Sequence, residues 1–427
     1  MDNKNDLFQI PNTKVLLAAL SDGDEAAAET SLDELERLVD TAGGEVVARV
    51  IQNRSASNSK TYLGSGKVLE IAELVKNQKS EDKEGISLIV FDNELSPSQI
   101  RNLEDIIDVR VIDRTMLILD IFALHAATGE GKLQVEIACL RYTAPRLMGK
   151  GKALSRLGGG IGTRGPGETK LETDRRHLTR RIAALQEKIN EMERTRQTQH
   201  ASREKKGIPS AAIVGYTNAG KSTLLNYLTG AGVLAQDKLF ATLDPTTRLL
   251  TLPDENEILL TDTVGFIDRL PHQLIKAFKS TLEELKYADM IIMLTDASER
   301  EEERSRKTAV TKALIQEMGC AAKETVHVYN KADMAVDEEF IPSDAVLISA
   351  KTGEGIDGLF ERLCNILKSS KTVARFGFPY SEAKAESSFR SSATVLETEY
   401  TDYGSILKAE CEKEIFDKYS KFVIDDE

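Results

Sequence analysis

Residues 215–222 of this 427-residue chain read Gly-Tyr-Thr-Asn-Ala-Gly-Lys-Ser, the spacing G-x-x-x-x-G-K-S. Such a loop cradles phosphates. Its glycines let the backbone N–H groups of Gly215, Tyr216, Thr217, Asn218, Ala219 and Gly220 wrap an anion, Lys221 neutralises β- and γ-phosphate oxygens, and the Ser222 hydroxyl can ligate magnesium. Farther on, Asp262-Thr263-Val264-Gly265 offers a carboxylate for the magnesium shell and a glycine N–H that can sense the terminal phosphate. Asn330-Lys331-Ala332-Asp333 brings a second carboxylate, which can accept from both N1–H and the exocyclic amine of guanine. Adenine has an acceptor at N1 and no amine there, so its binding would leave buried groups mismatched. Asn330 can support the base edge and loop packing, the Lys331 stem can cover the base plane, and Ser349-Ala350-Lys351 can turn backbone toward the guanine carbonyl oxygen. The set predicts a site for GTP or GDP with Mg2+, with Lys221 and Gly265 beside the transferring phosphate. A kinase built on the same phosphate loop is excluded, because no acceptor site accompanies the guanine pocket.

These motifs need strands to hold them. Apolar runs at 211–214, 257–260, 290–294, 326–329 and 345–348 predict a doubly wound α/β domain over 208–368, with the motifs at the C-terminal strand ends where such sheets bind ligands. Residues 1–114 predict a small N-terminal α/β domain with a parallel sheet, strands at 15–20, 45–51, 86–91 and 109–112. Ser31 precedes Leu35, Leu38 and Val39 at helical spacing, and Ser96-Pro97 opens a helix through Ile100, Leu103 and Ile107. Leu63-Gly64-Ser65-Gly66-Lys67 reads as a strand-to-helix turn, with weak anion or nucleotide binding as its alternative.

Residues 115–207 predict an antiparallel helical hairpin. Its first helix spaces Leu133, Ile137, Leu140, Ala144 and Leu147 at helical intervals; the second repeats Leu171, Leu178, Leu185 and Met192 every seven residues, with Ile182 and Ile189 between. The loop at 149–167, rich in glycine and carrying Lys150, Lys152, Arg156 and Arg164, can approach a partner's backbone closely. After a break at Ser369-Ser370-Lys371, a small α+β domain (371–427) shows strands at 392–400 and 405–410 around Asp402-Tyr403-Gly404, then a helix from Glu414.

The formal charge of −13 conceals a basic stretch: residues 141–206 hold 17 Lys or Arg against 7 Asp or Glu. A basic, glycine-rich tip on a stalk predicts contact with RNA phosphates, the alternatives being a solvated charged helix and a mobile loop. Hydrophobic content of 41% with 29% charged residues excludes collagen-like, wholly disordered and membrane-embedded classes. Cys139, Cys320, Cys364 and Cys411 lie far apart without C-x-x-C spacing, so zinc and disulfide frameworks are not expected. Without a basic-then-apolar leader or a span-length apolar run, the expected chain is a cytoplasmic monomer, part of it associated with membrane surfaces.

Residues 62–67, 156–170, 215–222 and above all Phe240-Ala241-Thr242-Leu243-Asp244-Pro245-Thr246-Thr247-Arg248 resemble the HflX family of ribosome-associated GTPases, within the translation-factor-like GTPases. The resemblance implies that 240–248 is switch I, that Thr242 is its magnesium-binding, catalytic threonine, and that Phe240, Ala241, Thr242, Leu243 and Asp244 lie against the nucleotide. It also implies binding to the large ribosomal subunit near the peptidyl-transferase centre, helped by the terminal domain, and dissociation of stalled or idle ribosomes under stress. From residue types alone, Thr242, Thr246 and Thr247 are equivalent candidates for the second metal hydroxyl. Phe266 follows Gly265 where many regulatory GTPases place a water-orienting glutamine. Slow intrinsic hydrolysis, on the order of 10⁻⁴ to 10⁻² s⁻¹, and stimulation by a partner are therefore expected, unless the 246–248 stretch orients the water. A signalling GTPase whose hairpin binds a protein is the alternative function.

Overall fold

A computed structural model describes residues 10–81, 85–147, 166–204, 207–230, 232, 239–240, 242–269, 284–369 and 371–424. The chain divides into two compact units, Met1–Leu250 with Leu259–Gly353, and Thr251–Ile258 with Glu354–Glu427.

The first unit opens with β1 (Lys14–Ser21), α1 (Glu25–Thr41), β2 (Glu45–Asn53), α2 (Ser65–Glu81), β3 (Leu88–Phe91), α3 (Pro97–Ile107) and β4 (Arg110–Asp113). The strands form a parallel sheet in the order β2-β1-β3-β4. Strands buried on both faces read as continuous apolar runs, and β3 is buried throughout. Helix α1 begins earlier than its apolar spacing suggests. Asp24, not Ser31, caps it by accepting from the Ala27 N–H at 2.9 Å, and the Ala-rich first turns need no apolar face to be helical. The Ser31 hydroxyl instead donates to Asp92 at 2.8 Å. Helix α3 carries the expected cap as a full capping box between Ser96 and Gln99. In the 63–67 segment, Ser65–Lys67 already form the first turn of α2; the Gly64 N–H is taken by Gln52 Oε1 at 2.7 Å and the Lys67 ammonium by Glu70 at 2.9 Å.

The first arm of the expected hairpin follows a separate helix: α4 (Arg114–His125) and α5 (Gly129–Leu147) are parted where the backbone turns extended at Ala126. Helix α5 has two apolar faces. Val135, Ala138, Cys139 and Tyr142 join the core beneath the first sheet, while Leu133, Ile137 and Leu140 pack on Ile182, Leu185 and Ile189 of α6 (Pro166–Glu204). Leu185 and Ile189 of the heptad series are buried in this seam, and Met192 at its end is exposed. Arg181 pairs with Glu136 and Arg196 with Glu130 across the antiparallel pair. The glycine-rich tip at 148–165, with Lys150, Lys152, Arg156 and Arg164, lies outside the described residues.

Then come β5 (Ser210–Gly215), α7 (Lys221–Thr229), β6 (Thr246–Thr251), β7 (Glu257–Asp262), β8 (Met290–Asp296), α8 (Glu301–Glu317), β9 (Glu324–Asn330) and β10 (Val346–Leu347). The sheet runs β10-β9-β8-β5-β7-β6, with the pairs from β10 through β7 parallel. The second unit holds α9 (Ile356–Ser369), β11 (Lys371–Pro379), α10 (Ala383–Arg390), β12 (Thr394–Thr401), β13 (Gly404–Glu412), α11 (Lys413–Lys418) and β14 (Val423–Ile424). Its antiparallel sheet, β12-β13-β11-β14, buries Phe376, Phe378, Leu407 and Ala409 against Phe389, Tyr419 and Phe422. The expected break after Lys368 is instead the junction of α9 with β11, and the alternation of Ala374, Phe376 and Phe378 marks that strand.

Arg114, at the start of α4, is 4% exposed and ion-paired with Asp92 at 2.8 Å and with Glu34. Burial works against its charge and the two carboxylates outweigh it, so its pKa is raised. Arg114→Ala would take the shared buried cation from Glu34 and Asp92, leaving Asp92 only the more exposed Arg269, at a cost of about 3–5 kcal/mol. Urea unfolding followed by circular dichroism should show that loss in the first transition; a wild-type midpoint would refute it.

Candidate guanine-nucleotide site

Strand β5 ends on Gly215, and the loop to α7 is held by the segment after β7. Thr217 N–H donates to the Phe266 carbonyl at 2.7 Å and Phe266 N–H to the Gly215 carbonyl at 3.1 Å. Gly220 stands at φ 94°, where an added Cβ would lie 2.2 Å from the Asn330 amide nitrogen, so only glycine fits before the helix. Lys221 is buried and donates to the Tyr216 carbonyl at 2.9 Å and the Gly215 carbonyl at 3.3 Å. Burial pushes its ammonium down to about 8, with Asp262 opposing.

Three side chains meet at the head of α7. Ser222 Oγ donates to Asp262 Oδ2 at 2.6 Å and lies 2.7 Å from Thr242 Oγ1. Burial raises the Asp262 pKa, with Lys221, Ser222 and Thr242 pulling the other way. Its second oxygen, Oδ1, is buried with no hydrogen-bond partner. Two hydroxyls and a carboxylate with an unused lone pair form an all-oxygen donor set that suits Mg2+, a hard cation. Thr242 is thereby separated from the other two threonines: Thr247 Oγ1 is 3.0 Å from Thr261 Oγ1, and Thr246 begins β6. Arg248 is turned to the Thr247 carbonyl at 2.9 Å.

At the base side, Asn330 bridges two loops, donating to the Ala219 carbonyl at 2.8 Å and accepting from the Ala350 N–H at 2.9 Å. Ser349 Oγ donates to Asp333 Oδ1 at 2.7 Å, and Ala332 N–H to the Ile348 carbonyl at 2.9 Å. Lys331, in the left-handed region at φ 70°, is tied to Asp296, which fixes the direction of its stem. The predicted base-binding residues Asn330, Lys331, Ala332, Asp333, Ser349 and Ala350 are thus drawn together at the ends of β9 and β10, with Lys351 next in the chain.

Several residues expected at the nucleotide also pack against the protein itself. Thr263 donates to the Ile213 carbonyl at 2.7 Å, Val264 enters the core, and Gly265 comes up against Thr217 and Lys221. Phe240 and Leu243 are buried in the core of the first domain, Phe240 at 4.7 Å from the Phe122 ring centroid, because apolar side chains gain more from that core than from phosphate. Asp244 accepts from Ala127 N–H at 2.9 Å and Thr128 N–H at 2.8 Å. Of the run 240–244 only Thr242 reaches Ser222 and Asp262, and Ala241 lies outside the described residues. Phe266 is 2% exposed with its ring among Ala212, Val214 and Met293, so it is a core residue held away from any water.

Sequence reading missed Glu34, Asp92 and Arg269. The Tyr216 hydroxyl accepts from the Asp268 N–H at 2.7 Å and bonds Glu34, while Arg269 pairs with Asp92 at 3.0 Å. A tyrosine inside the phosphate loop was the available signal, since its hydroxyl needs a partner once buried.

Family models match the chain in succession: "GTP-binding GTPase N-terminal" at residues 29–123, "GTP-binding GTPase Middle Region" at 125–203, and "50S ribosome-binding GTPase" at 210–331. Relatives called "GTPase HflX" include that of Lacrimispora saccharolytica, 51% identical over 94% of both chains. That of Caldanaerobacter subterraneus subsp. tengcongensis is 45% identical over 99% of this chain and 96% of its own, and that of Escherichia coli K12 is 44% identical over 84% of each. A GTP-binding protein of the archaeon Sulfolobus solfataricus, solved with GDP, is 25% identical over 83% of this chain and 98% of its own, with a TM-score of 0.43.

Because Lys221 titrates near 8 in the free site, phosphate binding, which favours the ammonium, must draw in a proton at higher pH. GDP affinity should fall as pH rises above about 8, approaching a tenfold loss per unit. Calorimetric titration at pH 8.5 in buffers of different ionisation enthalpy should report proton uptake. Its absence would contradict a buried, weakly basic Lys221.

Proposed function

The chain belongs to the HflX family of GTPases, and from that premise we propose that it is a GTP-switched ribosome factor that binds mainly the large subunit and dissociates stalled or idle ribosomes under stress. The observation that carries the reading is the joining of the nucleotide site to the hairpin: Thr242 touches Ser222 at 2.7 Å, and two residues later Asp244 holds the N-terminus of α5. A change at the terminal phosphate therefore has a short path to the base of the hairpin. The basic 141–206 stretch and its glycine-rich tip meet ribosomal RNA through phosphates. The matched description "50S ribosome-binding GTPase" supports the large subunit as the target.

When bound, Mg2+ supplies charge neutralisation at the β- and γ-phosphates; Ser222, Thr242 and Asp262 are the residues that would hold it. Lys221 stabilises the growing charge on the phosphate oxygens, and the Gly265 N–H meets the terminal phosphate. Hydrolysis is slow alone because the buried Phe266 gives water no polar guide, and the ribosome accelerates it by ordering the switch segments or adding a polar group. Splitting requires tighter binding to the separated subunit than to the whole ribosome, and hydrolysis resets that preference.

Sedimentation of the protein with ribosomes in GTP analogue, GDP and no nucleotide tests this. Analogue-dependent binding to the large subunit with loss of whole ribosomes is expected, weakening steeply with salt and abolished when Lys150, Lys152, Arg156 and Arg164 are neutralised. Binding in no nucleotide state at moderate salt would overturn it and favour a protein partner for the hairpin.

A further inference from the structure

We infer that the corner joining α4 to α5, residues 126–131, is a positioning element for Thr242, acting through Asp244. The Asp244 carboxylate accepts three hydrogen bonds there, from Ala127 N–H at 2.9 Å, from Thr128 N–H at 2.8 Å and from the Thr128 hydroxyl. Thr128 Oγ1 in turn accepts from Gly131 N–H at 3.0 Å, so one side chain both caps α5 and grips Asp244. A full charge on three donors at a helix start is a strong, directional contact. Gly131 completes the fit, because a Cβ there would lie 2.5 Å from Asp244 Oδ1.

Thr242 is thus held from both sides by the first-domain core and by the α4–α5 corner. Before it, Phe240 is buried against Phe122 of α4; after it, Leu243 enters the same core and Asp244 binds the corner. With three of its neighbours fixed, the Thr242 hydroxyl is delivered to Ser222 and Asp262 by the corner's placement. Asp244 is a strut in this arrangement and makes no direct contribution to chemistry. The inference rests on GTP hydrolysis alone and is independent of the ribosome reading.

The test uses the full-length protein without ribosomes and three variants: Thr128→Val, Thr128→Ser and Gly131→Ala. Affinities for a non-hydrolysable GTP analogue and for GDP are measured at graded Mg2+ by fluorescent-nucleotide displacement, alongside single-turnover hydrolysis. A switch threonine engages the metal in the triphosphate state. Thr128→Val and Gly131→Ala should therefore weaken Mg2+-dependent analogue binding and hydrolysis roughly tenfold or more, while GDP affinity stays within about twofold. Thr128→Ser, which keeps the hydroxyl, should restore both. Wild-type analogue binding in Thr128→Val, or an equal loss of GDP affinity, would overturn the inference. Asp244→Asn, of unchanged size, gives the same reading if Gly131→Ala fails to fold.

Discussion

A carboxylate withdrawn from water must find donors or a cation, and in this protein that requirement fixes how the pieces of the first unit join. Asp262, fully buried, faces Lys221 and Ser222. Asp113, also fully buried, accepts from the N–H groups of Leu95 and Met116 and from the Tyr142 hydroxyl, which fastens α5 to the first sheet. Asp92 and Glu34 share Arg114 and then reach across to Arg269 and Tyr216. Asp244 is the more exposed case, and it too is satisfied by three donors from another element. Each group lies where two parts of the chain meet, so none can be satisfied unless both parts are in place.

Helix α5 shows how apolar packing follows the same division. One face belongs to the first core and the other to α6, leaving the helix little freedom to move independently of either. The 239–244 segment lies on that same core, with Leu239 N–H donating to the Thr41 hydroxyl at 3.2 Å. The nucleotide site therefore borrows part of its scaffold from the first sheet's core. Phe266 fits the pattern: in the place where many regulatory GTPases carry a polar water guide stands a buried ring that packs the fold.

The phosphate loop, Asp262, Asn330 and Asp333 were legible because phosphate and guanine chemistry admits few residue types at fixed spacing. The parallel sheets were legible because buried strands must be apolar throughout. Less was readable where several sequences serve equally well. The start of α1 depends on one capping aspartate, and strand β11 on an alternation of only three residues.

By itself, then, the sequence determined the nucleotide, the strands that present it and the basic character of the hairpin, because these rest on local residue types and periodicity. Tertiary structure separated Thr242 from Thr246 and Thr247, which residue types leave equivalent, and it alone decided that Phe240 and Leu243 face the first core and that Tyr216 and Arg269 reach Glu34 and Asp92. Those choices turn on pairings between residues up to 182 positions apart, as between Glu34 and Tyr216, and no local pattern records which distant donor a buried carboxylate will find.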